Sequence, residues 1–307
     1  MLLVLTPNPA IDRVLDVPGF RTAEVCRVSR RSDGAGGKGL NVVRVARTLG
    51  MQACACGPLG GATGRSVAEL AAAEGLECRW HWLAHGETRI CVLVTDAAAH
   101  DTLTINEPGP QLDGAAWNAF AAHVLATATE AHAVAASGSL PPGVGAAQYI
   151  ELLRAIKRPI YLDTSGAPLV AALDEPLAML KVNGHELGSA LGDVIATPAA
   201  AAAAARRVLQ RGPRLVIVTL GRDGAVAATA DEVCWARPPA IAPISPVGSG
   251  DAVLAGVAAA LQQARPLGEA LRLGVACGAA NVLVPGPGIV LPDDIERMLA
   301  GTRLHSM

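Results

Sequence analysis

The residues of this chain best suited to chemistry sit in five short glycine- or serine-bearing segments. In Pro246-Val247-Gly248-Ser249-Gly250-Asp251, the main-chain N–H groups of Gly248, Ser249 and Gly250 precede the apolar run Ala252–Leu261. N–H groups gathered at a helix start form an anion hole, because the peptide dipoles and the helix field both favour negative charge there. Asp251 falls in the first turn, and two readings stand for it. It is either a helix-start carboxylate or a general base that takes the proton of a hydroxyl attacking a phosphoryl group in that hole. The segment Gly34-Ala35-Gly36-Gly37-Lys38-Gly39 has the GxGxxG spacing in form only. Arg27–Asp33 before it is charged rather than a buried strand, and no acidic residue follows about 20 positions on. A P-loop is excluded as well, since Ser32 and Gly39 stand where Gly and Ser or Thr are required. What remains is a bare-backbone loop opening a helix at Leu40, with Lys38 and Asn41 beside a polar ligand, or a tight turn with a solvated lysine.

The other three segments follow apolar runs. In Lys181-Val182-Asn183-Gly184-His185-Glu186, the oxygens of Asn183 and Glu186 suit Mg2+ or its water shell, or a helix cap. His185-Glu186 is no zinc motif, because position 189 is Ser. Thr219-Leu220-Gly221-Arg222-Asp223-Gly224 reads as a nucleotide contact or as a hairpin turn into Ala225–Ala228, and Ser137-Gly138-Ser139-Leu140-Pro141-Pro142 is a similar turn. In an open α/β sheet the carboxyl ends of the strands form the ligand crevice, so the shared placement favours function for the set.

The elements that position these segments are short apolar runs alternating with amphipathic or Ala-rich stretches. Leu2–Thr6, Met51–Cys56, Ala133–Ser137, Pro159–Asp163, Leu180–Asn183 and Leu215–Leu220 read as strands buried on both faces, the pattern of a parallel sheet covered by helices. Helices are expected over Gly39–Leu49, Gly64–Glu74, Ala115–Thr127, Ala146–Ala155, Pro198–Arg211, Gly250–Gln263, Leu267–Leu283 and Pro292–Ala300. Thr197 and Pro198 punctuate the start of the Ala-rich helix, and Gly212-Pro213 its end. Two regions break this rhythm. Ala10–Val17 with Glu24–Asp33, and Thr88–Asp96 with Asp101–Asn106 around Ala97–His100, alternate as strands and would form a small extra sheet, placed as a substrate lid.

Composition narrows the class. Lys and Arg number 25 against 27 Asp and Glu, a net charge of −2, which argues against nucleic acid as a partner because phosphate backbones need clustered cations. Aromatic residues make up 3% of the chain, too few for a base-stacking platform, so an adenine would be held by aliphatic and backbone contacts. Trp80, His81 and Trp82 read as surface-strand packing. No apolar run reaches membrane-spanning length, and Met1–Pro9 lacks the basic region of a signal peptide. The seven cysteines are scattered without a CxxC pair, which points to reduced thiols and a cytoplasmic location.

Taken in order, these motifs resemble the ribokinase-like, PfkB-type carbohydrate kinases, and within them the 1-phosphofructokinase/tagatose-6-phosphate kinase branch. The resemblance runs from Thr6-Pro7-Asn8-Pro9-Ala10-Ile11-Asp12 to Pro285-Gly286-Pro287-Gly288. It includes Gly60-Gly61-Ala62-Thr63-Gly64 and Asp163-Thr164-Ser165-Gly166. It implies a single three-layer α/β/α domain over 1–307, with a mostly parallel central sheet and a discontinuous β lid from about 10–17, 24–33 and 88–106. It also implies roles: Asp251 as base; Gly248, Ser249 and Gly250 as the hole for the transferred phosphoryl group; Asp12, Gly37 and Asn41 on sugar hydroxyls. Lys38, Arg89 and Arg27, with Ser139 near, would bind the phosphate already on the sugar. Asn183 and Glu186 would organise Mg2+, Lys181 would reach ATP phosphates, Thr219, Gly221 and Gly224 would line the nucleotide, and Cys277–Asn281 would lie near adenine. The lid would also make a homodimer contact.

Three departures from the family pattern, Val182 for Pro, Cys26 for Asn and Ala252 for Ser, remove no catalytic group. Lys38, Arg89 and Arg27 converging near the lid would offset a phosphate dianion, so a sugar phosphate is expected. The stretch Thr102–Pro110 resembles the 1-phosphofructokinase form of the lid strand, which favours fructose 1-phosphate phosphorylated at its C6 hydroxyl. Tagatose 6-phosphate or fructose 6-phosphate are the same-class rivals; a non-catalytic sugar- or nucleotide-binding regulator is the rival of another class. Carbonyl oxygens of Ser245–Val247 and Gly286–Gly288 are candidates to hold K+.

Overall fold

The computed structural model describes residues 1–21, 23–96 and 101–307, with Asp101 described by its backbone alone. The chain opens with β1 (Leu2–Leu5), β2 (Ala10–Asp16), β3 (Arg30–Gly36), α1 (Lys38–Thr48), β4 (Ala53–Leu59), α2 (Gly61–Ala73) and β5 (Glu77–Trp82). It continues through β6 (Arg89–Asp96), β7 (Asp101–Asn106), α3 (Gly114–Ala128), β8 (Ala133–Ser137), α4 (Ala146–Ala155), β9 (Ile160–Asp163) and α5 (Gly166–Ala172). Then come β10 (Met179–Asn183), α6 (Gly184–Leu191), α7 (Pro198–Leu209), β11 (Val216–Thr219), β12 (Ala225–Ala228) and β13 (Val233–Arg237). The last elements are α8 (Ser249–Gln262), α9 (Leu267–Asn281), α10 (Pro292–Gly301) and β14 (Arg303–Ser306).

Among the described residues the main sheet has ten strands in the order β14-β13-β12-β11-β10-β9-β8-β1-β4-β5. From β11 to β5 every pairing is parallel; β12, β13 and β14 add antiparallel strands at one edge. The centre shows why the apolar runs had no alternation. In β1 all four residues are fully buried, Leu2 and Val4 against the cluster of α1, α2, α8, α9 and α10, and Leu3 and Leu5 against that of α3 to α7. Helices on both faces of a mostly parallel sheet are the three layers the sequence predicts.

The second sheet, in the order β3-β2-β6-β7, is built from the two regions that break the βα rhythm. Its strands differ from the expectation at one place. Residues 24–29 are not a strand; β3 instead takes in Gly34-Ala35-Gly36, pairing Gly36 with Ala10 and Gly34 with Asp12. A β-carbon on Gly36 would meet the Asp12 carboxyl at 2.3 Å, so glycine there serves the close approach of an acidic side chain rather than a loop. The expected turn at Ala97–His100 lies outside the described residues. Strands β13 and β14 and helices α5 and α6 had no separate expectation in the sequence; β14 is exposed throughout and polar, and α6 is only 8 residues long. As expected, Thr197 caps α7 by accepting from the Ala200 N–H, and His81 packs between Phe120 and His123.

Candidate active site

Helix α8 brings the first motif to the sheet. Its cap, Gly248, has φ 84°, and a β-carbon there would meet the Gly288 nitrogen at 2.6 Å, so only glycine lets the loop close onto residues 287–288. Ser249 N–H turns back to Pro246 O at 3.3 Å, whereas the N–H groups of Gly248, Gly250 and Asp251 have no main-chain acceptor among the described residues. The N–H groups without a main-chain acceptor at this turn are therefore those of Gly248, Gly250 and Asp251, not the expected run Gly248, Ser249 and Gly250.

Around it lies a charge cluster assembled from five elements, buried at Asp163, Lys181 and Asp251 and partly exposed at Lys38 and Glu186. Asp163, at the end of β9 and fully buried, accepts from Lys181 Nζ of β10 at 2.7 Å and from Lys38 Nζ of α1 at 3.2 Å. Lys38 Nζ also lies 4.0 Å from Glu186 Oε1. The Lys181 ammonium rests against the Gly250 backbone, where a β-carbon would come within 2.6 Å of it. Asp251, 4% exposed, accepts from Asn41 Nδ2 at 2.8 Å. Burial pushes its carboxyl up to about 6, Asp163 adds to the rise, and Lys38, Lys181 and the Asn41 hydrogen bond oppose it. Burial would also raise Asp163, but Lys181 and Lys38 hold it below the ordinary carboxylate range. Lys38 is raised, chiefly by Asp163. A carboxylate poised to take a proton thus stands beside two ammonium groups that can face developing negative charge.

The residues expected to contact the sugar lie mainly around the junction of α1 with the second sheet. Burial raises the Asp12 carboxyl, with Arg44, then the Gly37 N–H and then Arg89 opposing. Arg89 begins β6 and is spent on carbonyls: Nε and Nη2 donate to Asn8 O at 3.2 and 2.9 Å, and Nη1 to Glu107 O at 3.2 Å. Ser139 is exposed just beyond β8. The expected convergence of Lys38, Arg89 and Arg27 is not what the structure shows. The Lys38 stem carries its ammonium to Asp163, and Arg27 is exposed between β2 and β3 with no ion pair among the described residues.

Of the residues expected to line a nucleotide, Thr219, Gly221 and Gly224 border a cavity of about 1140 Å³ whose lining also includes Ser249, Gly250, Val275 and Val282. Trp235 of β13 joins that lining, its indole N–H donating to Asp223 O at 2.7 Å and its ring stacked on His305 at 4.6 Å. Asn281 does not face this cavity. It is fully buried, with Nδ2 donating to Val247 O and Oδ1 accepting from Gly288 N–H, each at 2.8 Å, so it clamps the α8 loop to residues 287–288. Asn183 and Glu186 form the capping box of α6: Asn183 Oδ1 accepts from Glu186 N–H at 2.8 Å and Glu186 Oε2 from Asn183 N–H at 3.0 Å. Glu186 Oε1 remains turned toward Lys38. Among the described residues no group of three His, Cys, Asp or Glu side chains is placed to hold a metal directly.

Asp163, Arg44 and Trp235 had no role assigned from the sequence. For Asp163 the signal was an acidic residue at the carboxyl end of a buried apolar strand; Trp235 had none, since its neighbours in sequence show no motif.

A profile of the pfkB family carbohydrate kinases matches residues 6–294. A 1-phosphofructokinase of Xanthomonas campestris pv. campestris is 37% identical, over 89% of this chain and 88% of that protein. A tagatose-6-phosphate kinase of Staphylococcus epidermidis is 31% identical, over 97% of both. Phosphofructokinase-2 from Escherichia coli, solved in complex with fructose 6-phosphate, superposes with a TM-score of 0.90 at 28% identity, covering 97% of this chain and 98% of that one. The same Escherichia coli protein has been solved in complex with potassium and in a tetrameric inhibited form.

Proposed function

We propose that this chain, which belongs to the pfkB family of carbohydrate kinases and is a sugar-phosphate kinase, transfers the terminal phosphoryl group of ATP to the C6 hydroxyl of fructose 1-phosphate. The observation that carries the reading is the buried Asp251, hydrogen-bonded to Asn41 and set directly behind the Gly248–Gly250 hole. In the reaction the Asp251 carboxylate accepts the hydroxyl proton. The sugar oxygen then bonds to the terminal phosphorus, and the bond from that phosphorus to the bridging oxygen breaks, releasing ADP. The glycine-loop N–H groups and the Lys181 and Lys38 ammoniums offset charge on the phosphoryl oxygens, so positioning and electrostatics supply most of the rate. The cavity beyond Gly250, about 1140 Å³ and lined among others by Thr219, Gly224, Val275 and Val282, has the volume for a nucleotide.

Glu186 Oε1 suits Mg2+ held through its water shell, since that ion dehydrates reluctantly and Asn183 and the other Glu186 oxygen are engaged in the cap. Bound there, the ion would neutralise phosphate charge. Asn281 draws Val247 O and Gly288 together, which supports K+ at the carbonyls of Ser245–Val247 and Gly286–Gly288. One catalytic domain carries the second sheet as its lid. Half-exposed Leu103 and Ile105 on β7, with Val28, favour a homodimer through that lid. Seven free cysteines fit the cytoplasm.

In a coupled ADP-release assay, fructose 1-phosphate is expected to give the highest kcat/KM among fructose 1-phosphate, fructose 6-phosphate and tagatose 6-phosphate. A higher value with either 6-phosphate reassigns the substrate, and a flat response to all three rejects the class. Arg89→Ala is expected to raise KM for the sugar phosphate about tenfold. It removes charge-assisted hydrogen bonds that tie the lid strand to Asn8 and Glu107, each worth about 1.5–3 kcal/mol. KM for ATP should change less than about twofold; equal rises in both constants would remove Arg89 from the sugar side.

A further inference from the structure

Asn41 meets Asp251 across the two glycine motifs, and its amide is held by a residue outside both. Arg44, one turn further along α1, donates Nη1 to Asn41 Oδ1 at 3.0 Å. An amide whose oxygen faces a guanidinium can turn only its NH2 group the other way, and that group donates to Asp251 Oδ2 at 2.8 Å. Arg44 is itself fixed on three sides. Nη2 donates to Glu74 Oε1 at 3.0 Å, Nε donates to Glu74 Oε2, and Nη2 also reaches Ala35 O in β3. Glu74 is the C-cap of α2, the end where a helix dipole disfavours a carboxylate, so its identity answers to Arg44 rather than to its own helix. The same Arg44 is the foremost charge acting on Asp12 against the effect of burial.

We propose that Arg44, clamped by Glu74, is a positioning residue for phosphoryl transfer: it fixes the orientation of the Asn41 amide and so the hydrogen bond that aims the Asp251 carboxylate. The proposal rests on the reading of Asp251 as the base. Arg44 touches neither reacting group; it acts through Asn41.

The test is a mutant cycle on the full chain with ATP and fructose 1-phosphate. Arg44 borders a cavity of about 480 Å³ with Thr48, Glu74 and Gly288, so Arg44→Met opens into existing space rather than leaving a sealed void. Arg44→Met should lower kcat/KM for the sugar phosphate about 20-fold, the scale of one hydrogen bond to a charged group, and leave KM for ATP within about twofold. The acidic limb of kcat/KM against pH should move upward, because a hydrogen bond to the charged form of the base is lost. Arg44→Lys should recover only part of the loss, since an ammonium lacks the planar fork. Combined with Asn41→Ala, Arg44→Met should add nothing to the effect of Asn41→Ala alone. Additive losses, or an acidic limb that stays in place, overturn the proposal. Should Arg44→Met fail to fold, Glu74→Gln loosens the clamp and enters the same cycle, with a smaller loss of the same sign and the same non-additivity required. Asp251→Asn is the separate control. If it keeps turnover, the base reading falls and the positioning role with it; if it is inactive while the Arg44 and Asn41 losses add, the positioning role alone falls.

Discussion

Asp251→Asn is expected to lower kcat by about three to four orders of magnitude, with KM for both substrates within about threefold of the parent. The amide keeps the shape of the carboxyl and an oxygen to accept from Asn41, so the pocket is preserved and only the proton acceptor is lost. Stability should move the other way. Burial raises the Asp251 carboxyl to about 6, against an ordinary value of 3.8. A group raised by folding contributes stability that is fully present below its unfolded value and is lost as pH rises through its folded value. The carboxylate therefore burdens the fold above about pH 6, and the variant, which carries no charge there, should melt at an equal or higher temperature. Its advantage should grow between about pH 4 and 6 and then level off. The measurements are a coupled ADP assay and thermal melts across pH. Near-normal turnover would show that another group takes the proton, and a lower melting temperature at pH 8 would contradict the view that a functional charge is held here at a cost to the fold.

How much of this site could be read in the sequence follows from the range of the interactions. β1, β4, β8, β9, β10 and β11 were legible because strands buried on both faces carry no polar alternation, and the chemical segments stand where those strands end. The Gly248–Asp251 turn was legible because its glycines and carboxylate lie close together in sequence at a helix start. The contact of Lys38 with Asp163 was not legible, because its partner is 125 positions away and nothing local marks a lysine that reaches so distant a carboxylate. Asn281 suffered the same way: its side chain binds backbone atoms of two loops, which leave no trace in composition. In β3 the glycines mimic a loop, yet they are strand residues, and at Gly36 the missing side chain lets Asp12 lie across the strand. The capping box of Asn183 and Glu186 was legible as one of two alternatives, and its geometry leaves one Glu186 oxygen for the centre.

Asp163→Asn should have the largest effect on stability of any single change in the cluster. Asp163 is fully buried and is the shared acceptor of Lys181 at 2.7 Å and Lys38 at 3.2 Å. Removing one charge of a buried pair leaves its partner uncompensated, and such losses run to about 3–5 kcal/mol. Folding depresses this carboxyl, so its contribution is present above its unfolded value and is lost as pH falls through the lower folded value. The gap between parent and variant in urea midpoint should accordingly be full at pH 7 and narrow below about pH 4. Activity carries a second signature with an opposite sign to the Arg44 variants. Asp163 is one of the groups raising Asp251, so without it the acidic limb of kcat/KM, near pH 6 in the parent, should move to lower pH. Turnover should still fall, by about a hundredfold, because Lys38 and Lys181 lose the carboxylate that holds both, and with it the placement the proposed transfer needs. An acidic limb that moves upward, or a urea midpoint at pH 7 equal to the parent's, would mean that Asp163 neither couples to Asp251 nor holds the two lysines, and the site would have to be rebuilt on Glu186 as the principal acceptor for Lys38.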